Sequence, residues 1–268
     1  ADTVIAYLKQ NFYYSKDEGK SFFGSNLDVH DFLDKFYQFY IPNPAVYDRV
    51  EKKIYLCTKS GLMVSSDYGA TFITETNWTP NPPPSFNRMR SLTQTDNGTL
   101  YLMGDSVNQY VKQGSGNWTL VAQATKLPTD TTVWYVEHSH DTLFAIDFYN
   151  KSGVLYSANQ GVDWTACTGL PKNKKEILFG NRPFGEDNFY VGHDSGGLYR
   201  LAGTTFKSTG AGIPWWAKVS FVEGKRVVYR TDVNKYYLFC ATDLGIFVSE
   251  SNGKDWYLKR DGNFSTLY

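Results

Sequence analysis

The sequence of 268 residues has only three cysteines, Cys57, Cys167 and Cys240. They are far apart and form no CxxC pair, which excludes a disulfide framework and a cysteine zinc site. Each follows apolar or small neighbours (YLC, TAC, LFC), so all three are expected as small buried hydrophobes. An excess of one charge is also missing. Lys+Arg and Asp+Glu both number 27, which removes the electrostatic basis for a nucleic-acid or anionic-membrane partner. No apolar run approaches the roughly 20 residues of a membrane-spanning helix, so no membrane insertion is expected. The sequence holds no phosphate-binding glycine loop, no nucleophile elbow and no HExxH, and neither a cofactor nor a catalytic set is implied.

Aromatic residues are plentiful. Tyr 20, Phe 18 and Trp 7 make up 17% of the chain, enough for a substantial core and incompatible with a disordered polymer. They recur at fixed positions. The stretch Ser65-Ser66-Asp67-Tyr68-Gly69-Ala70-Thr71-Phe72 is matched by Ser15-Lys16-Asp17-Glu18-Gly19-Lys20-Ser21-Phe22. Two looser copies run from Ser157 through Asn159 and Gly161 to Trp164, and from Ser249 through Gly253 to Trp256. Weaker echoes end at Trp118 and Phe206, so the closing aromatic falls at 22, 72, 118, 164, 206 and 256. Prolines at 42, 84, 128, 171 and 214 repeat independently with nearly the same spacing. Two motifs sharing one period of 42 to 50 residues indicate six internal repeats.

The eight-residue element resembles the Asp-box, or BNR repeat, S-x-D-x-G-x-T-W, found in sialidases, sortilin-type receptors, xyloglucanases and photosystem assembly factors. The likeness extends along the whole chain as a repeat pattern and singles out none of these families. It implies a structural turn. Asp17 and Asp67 accept backbone N–H groups as Asx residues do, Gly19 and Gly69 supply a conformation that Cβ would obstruct, and Phe22, Phe72, Trp164 and Trp256 anchor the turn.

Each period also divides into four short strands. In the fourth these are Val133–Glu137, Leu143–Ile146, Val154–Ser157 and Trp164–Cys167, separated by turn-rich strings. Such strands suit the blades of a propeller. The expected fold is therefore all-β: one six-bladed β-propeller domain over residues 1–268, with four-stranded antiparallel blades. The first repeat opens at Val4–Leu8, which matches a second strand, and Phe264–Tyr268 runs past the last fourth strand. Closure by this C-terminal segment joining the first blade would remove two open sheet edges. Two stretches exceed the template. In the insertion at 24–42, Asp28–Tyr40 suit a short helix or an irregular strand, and the insertion at 215–232 suits an extra hairpin.

Propeller loops between second and third strands share a face with the connections between blades, opposite the Asp-box turns. A rim formed by Trp215, Trp216, Tyr149, His193 and Asp194 is accordingly the expected ligand-binding site, combining flat aromatic area with hydrogen-bonding groups. A glycosidase needs two carboxylates flanking a cleft, and Asp105, Asp147, Asp194 and Asp243 all fall in loops of that rim. Aspartate is common in turns for backbone reasons alone, however, and the arginine set of a sialidase has no counterpart in spacing. His138 and His140 with Glu137 and Asp141 are rich in potential ligands, but as neighbours in a turn they point in different directions, and no metal site is expected.

The function expected is non-catalytic recognition of a glycan or protein, in a secreted lectin-like or receptor-like module or a virion surface or tail component. The alternative is a sialidase-like glycoside hydrolase. Five Asn-x-Ser/Thr sites, at Asn77, Asn97, Asn117, Asn150 and Asn263, permit secretion without establishing it; an extracellular or virion location and a place in a larger assembly are the expectation.

Overall fold

A computed structural model describes residues 4–8, 11–17, 19–28, 45–58, 61–79, 91–103, 109–121, 135–147, 153–171, 177–183, 187–194, 197–229 and 233–259. They contain 24 strands and no helix. Their packing divides into two compact units, Ala1–Val136 with Ala158–Asp163, and Glu137–Ser157 with Trp164–Tyr268.

The first unit holds three sheets. Strands β1 (Val4–Leu8), β2 (Asn11–Ser15) and β3 (Phe23–Asp28) form a three-stranded antiparallel meander. Next come β4 (Ala45–Asp48), β5 (Lys53–Thr58), β6 (Gly61–Ser65) and β7 (Ile73–Thr74), again in sequential order. In the third sheet, β9 (Ser91–Gln94), β10 (Leu100–Met103), β11 (Gln109–Lys112) and β12 (Trp118–Leu120) gain a fifth strand, β8 (Trp78–Thr79), parallel to β12. The second unit contains most of three four-stranded sheets. These are β13–β16 (Tyr135–Ser139, Thr142–Ile146, Val154–Ser157, Thr165–Ala166), β17–β20 (Ile177–Asn181, Tyr190–His193, Leu198–Ala202, Thr205–Ser208) and β21–β24 (Val219–Tyr229, Val233–Thr242, Gly245–Ser249, Tyr257–Leu258).

Burial explains the sequence pattern. The strands β5, β10, β14 and β18 read KIYLCT, LYLM, TLFAI and YVGH and are buried almost throughout. Continuous burial means both faces are covered, so these strands lack the alternation of a half-solvated sheet. Within the first unit the second and third sheets share a cluster of Tyr55, Leu62, Trp78, Leu102, Tyr110 and Trp118. Tyr55 meets Trp118 edge-on at 5.5 Å, and Trp78 stacks on Trp118 at 5.9 Å.

The repeated turns share one hydrogen-bond pattern. Ser15, Ser65 and Ser249 each accept, on Oγ, the N–H of the glycine four residues on, at 2.8, 2.9 and 3.0 Å. The oxygen at the third position then accepts the N–H at the seventh. Asp17, Asp67, Asn159 and Ser251 all do this at 2.9 Å, so the substitutions in the looser copies preserve the bond. The glycine between them is left-handed, φ +90° at Gly69, where a side chain is strained. Phe72, Trp164 and Trp256 are buried as anchors, whereas Phe22 is 44% exposed. Phe72 sits among Phe12, Leu27, Ile54 and Leu56, and Phe22 belongs to no comparable cluster among the described residues.

A second recurring bond was not read from the sequence. The chain leaving one sheet crosses to the outer strand of the next, where the N–H of the closing aromatic donates to its carbonyl. Trp118 donates to Asn77 at 2.8 Å, Phe206 to Thr168 at 2.7 Å and Trp256 to Ala211 at 2.8 Å. At the corresponding place between the first two sheets, Phe72 N–H donates to the side-chain oxygen of Asn26, also at 2.8 Å. Gly169 and Gly212 follow two of these carbonyls. A Cβ on Gly212 would lie 1.9 Å from the Trp256 oxygen, and one on Gly169 would lie 2.1 Å from that of Phe206.

Among the described residues, 215–229 form no additional hairpin of their own. Their strand residues belong to β21, an 11-residue strand paired along its length with the 10-residue β22. Lengthening two template strands absorbs the extra residues, with one register irregularity between Val219 and Phe221. Residues 29–42 and Phe264–Tyr268 lie outside the described residues, as does the proposed closure. No sheet among the described residues closes on itself.

Candidate functional site

The expected rim residues fall into three groups. Trp215 and Trp216, in the connection between β20 and β21, are 77% and 57% exposed. Their rings meet edge to face at 5.7 Å. Asp194 lies just after β18 and pairs with Lys218 at 2.9 Å, while Gly197 N–H donates to Ala217 O at 3.4 Å. The loop carrying Asp194 is therefore tied to the segment that carries the tryptophans. His193 ends β18 and is fully buried, so it is a core residue and presents no surface to a partner. Tyr149 lies outside the described residues.

A cavity of about 670 Å³ opens beside Trp215. It is lined by Pro171, Tyr199, Ser208 and Trp215 and, from the sixth repeated turn, Lys254. The sequence argument put the tryptophans and the turns on opposite faces, but the connection from β20 bridges to Asp255 at Ala211 and brings the two together. Tyr199 and Lys254 were missed. Lys254 occupies the variable sixth position of its turn, where Lys20, Ala70 and Val162 stand in other copies. That variability was the available signal. Burial raises the Tyr199 phenol above its ordinary value.

The carboxylates considered for hydrolysis are largely engaged. Asp147 is buried. Asp194 is paired with Lys218, and Asp243 accepts the Lys218 N–H at 2.9 Å. Asp105 lies outside the described residues. His138 contacts Glu137 at 3.2 Å and His140 contacts Asp187 at 3.3 Å, so the two histidines face different partners. Among the described residues, no group of three or more His, Cys, Asp or Glu side chains could hold a metal ion.

Successive four-stranded antiparallel meanders, each handing its chain to the next, define a β-propeller protein. Solved structures with the same fold include the GH74 xyloglucanase from Xanthomonas campestris (TM-score 0.61, 13% identity, 91% of this chain and 41% of that one). They also include YCF48 bound to D1 peptide (TM-score 0.61, 12% identity, 94% and 76%). A third is the extracellular domain of the hybrid two-component system BT3049 from B. thetaiotaomicron (TM-score 0.57, 14% identity, 97% and 34%). This chain thus spans about two fifths of the xyloglucanase and one third of the BT3049 domain. No family model and no curated protein matches the sequence.

Proposed function

We propose that this chain is a single six-bladed propeller of Asp-box repeats acting as a non-catalytic recognition module. It binds a glycan or protein partner through the surface around Trp215 and Trp216, in a secreted or virion-borne setting. The observation that carries this function is the exposed tryptophan pair beside a 670 Å³ cavity. Large rigid aromatics on a surface are the residue types that dominate binding energy. The loop carboxylates support binding over hydrolysis, because Asp194 and Asp243 are held by Lys218 and Asp147 is buried. A fold shared with a GH74 xyloglucanase, YCF48 and an extracellular domain is compatible with either role.

The test is a glycan array together with pull-down of a defined protein partner, using the full chain and its Trp215→Ala and Trp216→Ala variants. Each substitution should weaken binding by about 2 kcal/mol if it lies in a hot spot, and the melting temperature should not change. Turnover of aryl glycosides that disappears in Asp105→Ala, Asp147→Ala or Asp194→Ala would establish the hydrolase instead.

A further inference from the structure

The cavity beside Trp215 has a one-sided chemistry. Four side chains on its wall carry polar atoms that make no hydrogen bond or ion pair among the described residues: Tyr199 Oη, Ser208 Oγ, Trp215 Nε1 and Lys254 Nζ. All four can donate, and Trp215 and Lys254 can only donate. One of them is a cation, so the wall offers three neutral donors and a positive charge.

Part of the surrounding backbone is already satisfied. Thr209 N–H donates to Leu198 O at 2.9 Å, and Ile213 N–H donates to Gly210 O at 2.8 Å. Thr209 O accepts the Trp256 indole N–H at 3.2 Å, and the Thr209 hydroxyl donates to Gly253 O at 2.6 Å. Ser208 stands opposite Tyr199 in the β19–β20 register, and β20 is the last strand of its sheet. A peptide adding as a strand needs a run of free main-chain donors and acceptors, and on β20 Phe206 already bonds Thr168, which confines that run to the end of the strand at Ser208. The wall also carries side-chain donors beside two aromatic residues, Tyr199 and Trp215. Sugars are bound by that combination, their flat CH faces on the aromatics and their oxygens on the donors. The volume lies within the range of roughly 300–1,000 Å³ typical of small-molecule sites.

We propose that this cavity binds a carboxylate-bearing sugar, stacked on Trp215 and Tyr199, with its carboxylate on Lys254 and its hydroxyls on Ser208 and Tyr199. The assignment rests on the recognition function proposed above and supplies its ligand class. A carboxylate is chosen over a neutral sugar because Lys254 carries a charge with no carboxylate paired to it among the described residues, and charge-assisted hydrogen bonds are the stronger kind.

Titration calorimetry with trigalacturonate, its neutral galactose isostere and a free-carboxylate peptide tests this on the full chain. The acidic sugar should bind at least tenfold tighter than the neutral one. Lys254→Met should abolish that preference, and Trp215→Ala should weaken both. Circular dichroism and melting should show all variants folded, since Lys254 and Trp215 are both exposed. Equal affinity for the two sugars, no binding of trigalacturonate, or an acidic preference that survives Lys254→Met would overturn the assignment. Preference for the peptide would overturn it while leaving recognition through the tryptophans intact. Recognition itself fails only if Trp215→Ala and Trp216→Ala change the binding of no array glycan or protein partner.

Discussion

Replacing Gly212 by alanine should destabilise the protein far more than its place in a surface connection suggests. Two costs add. Gly212 has φ +94°, a conformation that costs an L-residue roughly 1 kcal/mol or more. The new Cβ would also stand 1.9 Å from the Trp256 carbonyl oxygen and 2.9 Å from its carbon. Relief requires the connection to move by more than an ångström, which breaks the 2.8 Å bond from Trp256 N–H to Ala211 O. A lost hydrogen bond that leaves an unsatisfied backbone group costs about 1–3 kcal/mol. The total is about 3 kcal/mol, or about 6–12 °C in melting temperature at ~2–4 °C per kcal/mol for a chain of this size. Gly203 provides the control, because it has φ +64° but no atom within 4 Å of its would-be Cβ. Gly203→Ala should therefore cost only about 1 kcal/mol, or ~2–4 °C. Gly169→Ala, with Phe206 O at 2.1 Å, should resemble Gly212→Ala. Differential scanning fluorimetry at neutral pH suffices to compare them. Equal shifts for Gly212→Ala and Gly203→Ala would show that the crossing connection bears no structural load.

Three further outcomes are expected. Hydrogen bonds from the Ser21 side chain and backbone and from Ser15 lower the Asp17 carboxyl to about 2. At Asp67 burial pulls upward but is outweighed by the bonds from Thr71 and Ser65. Both folded-state values lie below the unfolded ones, so this stability is complete above about pH 4 and is lost as pH falls towards 2. Asp67→Asn should flatten the melting curve between pH 2 and 4, and an unchanged acid slope would contradict the bonding described. Lys112 is buried and bonds Glu51 at 2.8 Å, so Glu51→Gln strands a buried charge and should cost about 3 kcal/mol by urea unfolding; a loss below ~1 kcal/mol would mean that Lys112 reaches solvent. Burial raises all three thiols, Cys167 and Cys240 to about 12, so none should be alkylated by iodoacetamide at pH 8 before unfolding. Rapid labelling of Cys57 or Cys240 in the folded protein, read by mass spectrometry, would contradict their burial.

What could be read from the sequence follows the range of the interactions. The repeated turns were legible because their bonds join residues two to four apart, as from Ser65 to Gly69 and from Thr71 to Asp67. Strand placement in the fourth repeat was legible too, with Leu143–Ile146 found as Thr142–Ile146 and Val154–Ser157 found unchanged. Gly212 was not legible, because its constraint comes from Trp256, more than forty residues along the chain. His193 was misplaced on the rim for a related reason. Histidine in a loop-like GHDSGG string looks solvated, yet strand β18 extends through it into the core. Lys254 was overlooked because the motif defines its position only as a residue free to vary.

The bond that three of the connections make to the next outer strand also has a direction in time. The carbonyl always belongs to the earlier residue and the N–H to the later: Asn77 before Trp118, Thr168 before Phe206 and Ala211 before Trp256. The two partners are about 40 residues apart in each case, so on a ribosome the acceptor emerges a few seconds before its donor at ~5–20 residues per second. Every such clasp can close while the following sheet is still being synthesised. Shortening the chain from its C-terminal side leaves all earlier clasps complete, whereas shortening it from the N-terminal side removes an acceptor that the next sheet requires. The polypeptide is thus built to assemble in the order in which it is made.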